Sequence, residues 1–168
     1  MAAAKETQKE EVKVLGEGTD KTVRNHVIGS MGVGLIPVPV VDLVALTGVQ
    51  LNMLRKLAKS YNIPFSKDKV KNILASLIGG TIPVSFSSTL ASLVKSIPIV
   101  GQTTGALSMP ILAGATTYAV GKVFTQHFAS GGTFLNFNPE EVKEYYAQMF
   151  KEGEKVASDL KKSDDSKK

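Results

Sequence analysis

Three long stretches of this chain contain no Asp, Glu, Lys or Arg, and they span residues 27–41, 72–94 and 96–121. Five prolines fall within these stretches. Proline breaks or kinks a helix because it lacks a backbone donor and clashes with the preceding turn. The apolar stretches are therefore divided into several shorter helices. The sequence predicts an all-α fold, a bundle of helical hairpins whose apolar helices are interrupted by glycine and proline.

Apolar residues recur at helical spacing through most of the chain between these breaks. The run Asn138-Pro139-Glu140-Glu141 predicts the start of the last helix. Asn is a common N-cap residue, Pro suits the first helical position, and acidic side chains favour the positive end of the helix dipole. Residues 36–41 are rich in β-branched side chains, but their two prolines exclude a central strand. The earlier helices are predicted over 19–35, 41–61, 69–80, 85–96, 101–109 and 111–129.

The two ends of the chain differ from its centre in composition. Residues 1–18 and 151–168 are polar, charged and poor in bulky apolar side chains, so they bury too little surface to offset the entropy of ordering. We predict a disordered polar tail over 1–18, a helical domain over 19–150 and a charged C-terminal tail over 151–168. The first tail has no apolar stretch of signal-peptide length, which predicts that the protein starts in the cytoplasm.

Residue types that catalysis or metal binding requires are scarce. The chain has no cysteine and two histidines, which exclude a disulfide framework, a thiolate zinc site, a cysteine nucleophile and a His-rich metal site. Residues 31–34 (MGVG) lack the third glycine and the preceding strand of a dinucleotide-binding fingerprint. Ser85, Ser87 and Ser88 lack the Gly-x-Ser-x-Gly elbow of a hydrolase. The sequence predicts neither an enzyme nor a cofactor.

The formal net charge of the chain is +5, a mild basic excess. Ordinary solubilising charge explains it, as does attraction to a membrane surface or an acidic protein, and we predict no nucleic-acid partner. Six basic residues nevertheless gather between the first apolar hairpin and the second, opposed only by Asp68. The positive-inside rule keeps this connection cytoplasmic, and near an anionic leaflet each charge adds up to about 1 kcal/mol. They are Arg55, Lys56, Lys59, Lys67, Lys69 and Lys71.

The charge-free stretches are compatible with membrane association and with a soluble bundle. A spanning helix needs about 20 apolar residues, which 72–94 and 96–121 supply, whereas their prolines divide them into segments of core-helix length. Small residues at a spacing of four favour lipid, because they let helices approach closely and self-associate there. Lys95 and Lys122, at the ends of stretches, suit snorkelling. The small residues expected at helix contacts are Gly79, Gly80, Gly101, Gly105, Gly114, Ala115, Ala119 and Gly121.

Three ionisable residues lie in or beside the apolar segments. Asp42 is either an ionisable group within the membrane or, as we favour, the N-cap of the second helix. His26 and His127 lie at the ends of apolar segments, and no Asp, Glu or His follows either one at i+3 or i+4. A partly buried or interfacial histidine is therefore favoured over a metal ligand at both positions.

Two groups of motifs resemble a known family over residues 20–150, the bacterial domain-of-unknown-function family 697. This resemblance implies a small helical domain that associates with membranes and that, in longer relatives, follows a GTPase domain of the Era-like or dynamin-like sort. The present chain lacks a GTPase half, so a GTP-linked role would need a separate partner, and the family supplies no catalytic residues. The motifs are 24–27 (RNHV), 32–37 (GVGLIP), 41–43 (VDL), 50–55 (QLNMLR), 57–58 (LA), 118–124 (YAVGKVF), 126–128 (QHF) and 130–134 (SGGTF).

We therefore expect a non-enzymatic helical module with cytoplasmic termini, whose Gly-rich hairpins insert into or lie on the inner membrane. Its role would be that of an anchor or effector for a protein partner such as a GTPase. The alternative is a soluble all-α interaction or scaffold module, in which the apolar centre is the core of the bundle. The two differ in whether residues 72–121 contact hydrocarbon or neighbouring helices.

Overall fold

The computed structural model of the chain describes residues 2–35, 39–81 and 109–167. Within these ranges the chain forms helices and no strand, which confirms the predicted all-α class. The predicted helix over 85–96 lies outside the described residues, as does nearly all of the one over 101–109. The five described helices are α1 (Ala2–Val33), α2 (Pro39–Ser60), α3 (Lys67–Thr81), α4 (Met109–Ala129) and α5 (Lys143–Asp165).

The helix α4 lies at the centre of the bundle, where it packs against α1, α2 and α5. Consecutive residues in its middle turns are buried, so every face of those turns is covered by the chain itself. The expectation that hydrocarbon explains the absence of charge is therefore wrong for residues 113–121, because burial among helices explains it. The buried residues of α4 are Ala113, Gly114, Ala115, Thr117, Tyr118, Ala119, Val120, Gly121, Val123, Phe124 and Phe128.

Contacts between pairs of helices establish their directions. Gly121 of α4 lies against Val23 of α1, and Gly114 lies against Met31, so these two helices are antiparallel. The helix α5 is also antiparallel to α4, whereas α2 runs parallel to it. The end of α1, the start of α2, the start of α4 and the end of α5 therefore lie at the same end of the bundle.

A single apolar core draws side chains from all five described helices. Phe124 of α4 is fully buried there, together with Met53, Leu54 and Leu57 of α2. Burying a side chain of this kind contributes about 1.5–3 kcal/mol relative to leaving it in water. The core therefore holds α1 to α5 together as one unit.

Helices continue into both segments that the sequence predicted as tails. The helix α1 begins at Ala2 rather than at residue 19, and residues 4–14 are exposed. The helix α5 continues to Asp165 because Gly153 and Ala157 extend its buried stripe. The predicted boundaries after residues 18 and 150 thus fall inside α1 and α5.

The last helix begins at Lys143 and not at the predicted Asn138 cap. The Asn138 side chain accepts a hydrogen bond from the Glu140 amide at 3.2 Å and donates one to the Glu141 carboxylate at 3.0 Å. These bonds stabilise a turn that precedes the helix, and Val142 is the N-cap residue. The capping signal therefore marks the turn that leads into α5.

Candidate functional site

Four of the predicted small residues form close contacts between α4 and its neighbours. A Cβ atom on Gly121 would lie 2.7 Å from Val23 Cγ2, and one on Gly114 would lie 2.8 Å from Met31 Cγ. The chain's own helices therefore occupy these faces, and self-association would have to use other surfaces. The other two residues of this set, Ala115 and Ala119, are fully buried.

The remaining predicted small residues lie elsewhere. Gly79 is exposed in α3, and nothing lies within 4 Å of the position that its Cβ would take. Gly80 follows in the same helix, and only its backbone is described. Gly101 and Gly105 lie outside the described residues.

Sequence reasoning missed Gly153, the small residue through which α5 contacts α4. A Cβ atom there would lie 2.9 Å from the Ala115 carbonyl oxygen and 2.9 Å from Tyr118 Cβ. The available signal was a glycine inside a charged helical segment, since glycine costs a helix about 1 kcal/mol relative to alanine. A close backbone contact explains why glycine stands at this position.

Three buried polar side chains meet where α1, α2 and α4 cross. The hydroxyl groups of Ser30 and Thr117 are 2.7 Å apart, and the Gln50 amide donates to Thr117 Oγ1 at 3.3 Å. All three residues are at most 1% exposed. Leaving such a buried group without a partner costs about 1–3 kcal/mol. This polar trio therefore joins the three helices to one another.

The predicted ionisable residue His26 is buried between α1 and α2. Its Nδ1–H donates to the Thr22 carbonyl at 2.7 Å, and Nε2 accepts from the Asn52 amide at 3.3 Å. Both ring nitrogens thus have partners within the chain. Across the described ranges no three His, Asp or Glu side chains gather as a metal site requires. Asp42 lies in α2, and its side chain is outside the described residues, so both interpretations of it stay predictions.

The predicted residue His127 belongs to an aromatic cluster that covers the end of α4. Its Nε2–H donates to the Thr133 carbonyl at 2.9 Å, and its ring lies edge-on to Phe137 at 5.1 Å. Phe137 in turn stacks on Phe124 with the ring centroids 4.5 Å apart. The motif over 126–134 therefore closes this end of the bundle. Tyr61, Phe65, Phe128 and Phe134 complete the cluster.

Two glycines allow the loop after α4 to turn back over the helix. Gly131 has φ 84°, and a Cβ atom on Gly132 would overlap the His127 ring. We expect Gly132→Ala to displace His127 from Thr133 and to lower the free energy of unfolding by about 1–3 kcal/mol. Urea unfolding measures this loss, with Ser130→Ala in the same loop as the control. Equal midpoints for Gly132→Ala and wild type would contradict the described packing.

Polar contacts join α4 to α1 and α5 on its less buried side. The Lys122 ammonium pairs with Asp20 at 2.7 Å, and its Nζ lies 5.6 Å from the Tyr118 ring centroid. The Tyr118 hydroxyl donates to Glu152 at 2.6 Å. Lys122 is thus an ion-pairing residue between helices, which differs from the snorkelling interpretation. Lys95 lies outside the described residues.

Tyr118, Tyr145 and Tyr146 have a raised pKa, so we expect stability to depend on pH in the alkaline range. Burial raises the pKa of Tyr146, and burial together with the hydrogen bond to Glu152 raises the pKa of Tyr118, both above the ordinary 10.0. Above this pH the unfolded chain releases protons that the folded chain keeps, so the free energy of unfolding falls.

We expect Tyr146→Phe to reduce this alkaline loss of stability, because the variant has no phenol to titrate at this buried position. Urea midpoints at about pH 9 and about pH 11 measure the loss on either side of the ordinary tyrosine value. Identical losses in the variant and in wild type would show that Tyr146 titrates normally in the folded chain.

The six predicted basic residues are all exposed, and they lie where α2 ends and α3 begins. Asp68 is the one acid within residues 55–71. The ion pairs found among the described residues involve other side chains. We call this set the basic surface, and it consists of Arg55, Lys56, Lys59, Lys67, Lys69 and Lys71.

Three exposed apolar side chains lie at the other end of the bundle, and Val12, Val14, Ile28 and Leu135 are exposed elsewhere. Leu35 is 72% exposed, Val44 is 70% exposed and Met109 is 56% exposed, and we call these three residues the apolar end. A Cβ atom on Gly34 would lie 2.9 Å from the Met109 carbonyl oxygen, so the end of α1 contacts the start of α4 there. None of the helices in the described part of the chain combines the length and the apolarity needed to cross a bilayer.

The fold and these surfaces define a small all-α bundle with an apolar end and a basic surface. Over residues 5–155 the chain matches the family described as domain of unknown function (DUF697), and it belongs to that family. Magnetosome membrane protein 22 of Magnetospirillum gryphiswaldense is 36% identical over 143 residues, which are 84% of this chain and 73% of that protein. No solved structure matches the chain.

Proposed function

We propose that the chain is a non-enzymatic, membrane-associated helical module that acts as an anchor or effector for a protein partner on the cytoplasmic face of the inner membrane. The apolar end is the observation that carries this proposal. Leu35, Val44 and Met109 expose apolar surface to water, and exposed apolar surface of this kind marks sites of protein or membrane contact. The relative named a magnetosome membrane protein supports the membrane as the contact.

A separate protein partner is the second part of the proposal. The basic surface has six exposed cations without ion pairs among the described residues, and such a surface attracts an acidic partner. The family resemblance suggests a GTPase, because the domain follows a GTPase in longer relatives. Binding such a partner at a membrane would make the chain its anchor or effector.

A soluble all-α interaction or scaffold module is the alternative. The burial of α4 favours it, because the chain's own helices account for the absence of charge from residues 113–121. In this case the apolar end would contact a protein and no lipid. The two candidates therefore predict different behaviour with vesicles.

Flotation tests the membrane proposal. We expect the purified chain to float with vesicles of phosphatidylethanolamine and phosphatidylglycerol, and to stay at the bottom of a gradient without vesicles. We also expect membranes from expressing cells to carry the chain, and carbonate washing will separate an inserted chain from a peripheral one. A chain that does not float with the vesicles and that fractionates with soluble proteins would contradict the proposal and favour the scaffold module.

A further inference from the structure

The apolar end and the basic surface lie far apart along the bundle. The helix α2 carries residues of both, because Val44 belongs to the apolar end and Lys59 to the basic surface. At 1.5 Å of rise per residue, these two positions are about 22 Å apart along the helix. Leu35 and Met109 lie on the Val44 side, where α1 ends and α4 begins.

Charge is scarce in the helical segments near the apolar end. Within the described residues, α1 has no charged residue after Arg24, α4 has none before Lys122, and α2 has only Asp42 before Arg55. The end of α5 and the residues after it bring three lysines and two aspartates over 161–167 to the rim of this end. An apolar centre with a mixed, charged rim suits the boundary between acyl chains and head groups.

The chain outside the described helices also favours lipid as the occupant of the apolar end. Residues 82–108 precede Met109 in the sequence, and they contain one charged residue, Lys95. An apolar sequence that adjoins the apolar end along the chain suits the same bilayer. A protein partner on the apolar end would need a further apolar surface for the same sequence.

The basic surface is too distant to bind a bilayer that the apolar end enters. The screening length is about 8 Å at physiological ionic strength, which is well below the separations along α2 of about 16 Å from Val44 to Arg55 and about 22 Å from Val44 to Lys59. Attraction of the six cations to anionic head groups is therefore weak in this orientation. The sequence had suggested that these cations act at the leaflet beside the apolar hairpins.

We propose that the apolar end is the surface that meets lipid, so that the bundle stands on the bilayer with the basic surface facing the aqueous phase. This inference rests on the proposed membrane association and adds the orientation of the chain. It makes Leu35, Val44 and Met109 the lipid-contacting residues. It also keeps the basic surface accessible to macromolecules in solution.

The absence of cysteine from the chain allows each end to be labelled at a single position. We compare Leu35→Cys and Met109→Cys with Lys59→Cys, each carrying an environment-sensitive NBD label on the full chain. With phosphatidylethanolamine and phosphatidylglycerol vesicles, we expect the labels at Leu35→Cys and Met109→Cys to brighten and to be quenched by lipids brominated in their acyl chains. The label at Lys59→Cys should respond to neither, and it is the matched control.

Charge substitutions at the two ends test the same orientation without a label. The double variant Leu35→Glu, Met109→Glu is expected to weaken vesicle binding about tenfold or more, because it removes two lipid-contacting apolar side chains. The double variant Lys56→Glu, Lys59→Glu is expected to bind within about twofold of wild type at physiological salt. All four side chains are exposed, so the urea midpoints of both variants should stay near that of wild type.

Each result has a distinct meaning. The proposed orientation is overturned if the label responds at Lys59→Cys alone, or if only the Lys56→Glu, Lys59→Glu variant loses binding. Either result would place the basic surface on the bilayer. The proposed membrane association would survive both. The orientation is also overturned if the Leu35→Glu, Met109→Glu variant has a lowered urea midpoint and the labels at both apolar positions do not respond to vesicles. This result would show that the chain itself covers the apolar end. A wild-type chain that fails to float contradicts the proposed function instead.

Discussion

Replacing Phe124 with alanine is expected to lower the free energy of unfolding by about 3–5 kcal/mol. The Phe124 side chain is fully buried, and its ring centroid lies 5.6 Å from those of Phe128 and Phe134 and 4.5 Å from that of Phe137. Truncation removes these contacts and leaves a cavity that the surrounding helices and loop fill only in part. Urea unfolding, followed by far-ultraviolet circular dichroism, measures the loss.

The matched control for this variant is Leu135→Ala in the loop that covers the same end of α4. Leu135 is 80% exposed, so its truncation should change the free energy of unfolding by no more than about 0.5 kcal/mol. If both variants unfold at the wild-type midpoint, the aromatic cluster does not stabilise this end of the bundle. A loss confined to Phe124→Ala supports the described core.

The variant Gly153→Leu is expected to lower the free energy of unfolding by about 3 kcal/mol, through overpacking between α5 and α4. The Cβ atom of any larger residue at this position would lie 2.9 Å from the carbonyl oxygen of Ala115. A backbone atom of a central helix cannot rotate away as a side chain can, so the two helices must separate. Thermal or urea unfolding in detergent-free buffer measures the effect.

The variant Gly79→Leu controls for the helix propensity of the new residue. Gly79 lies in α3 with open space around it, so leucine there should raise the free energy of unfolding by about 0.5–1 kcal/mol. If the free energy of unfolding falls in Gly153→Leu and rises in Gly79→Leu, the loss at Gly153 is due to packing. A Gly153→Leu chain as stable as wild type would contradict the described contact between α5 and α4.

The helical class could be predicted from the sequence because apolar periodicity and proline act over a few residues. The surroundings of the charge-free residues 113–121 could not be predicted, since hydrocarbon and a neighbouring helix exclude charge for the same reason. Contacts from residues distant in sequence, such as Val23 and Ala157 against α4, decide between them. Residues 151–165, which the sequence predicted as a tail, are helical. No sequence signal indicated this, because the buried residues there, Gly153 and Ala157, are too small to stand out as core residues.

The two candidate surfaces differ in how far the sequence could reveal them. The basic surface was predictable, because cations grouped within a short segment stay in water when they lack partners. The apolar end combines Leu35, Val44 and Met109 from three helices, and only the folded chain brings them to one place. The role of His127 depended in the same way on the loop that carries Thr133 back over α4.

The polar trio of Ser30, Gln50 and Thr117 has a further consequence for how the helices are aligned. A slip of one helix past another by a turn would move the close contacts at Gly114 and Gly121 onto residues that carry a Cβ atom. Such a slip would also break the hydrogen bonds of the trio and leave buried polar groups without partners. Hydrogen bonding and close packing together therefore select a single register for this bundle, and an all-apolar replacement of the trio would weaken that selection.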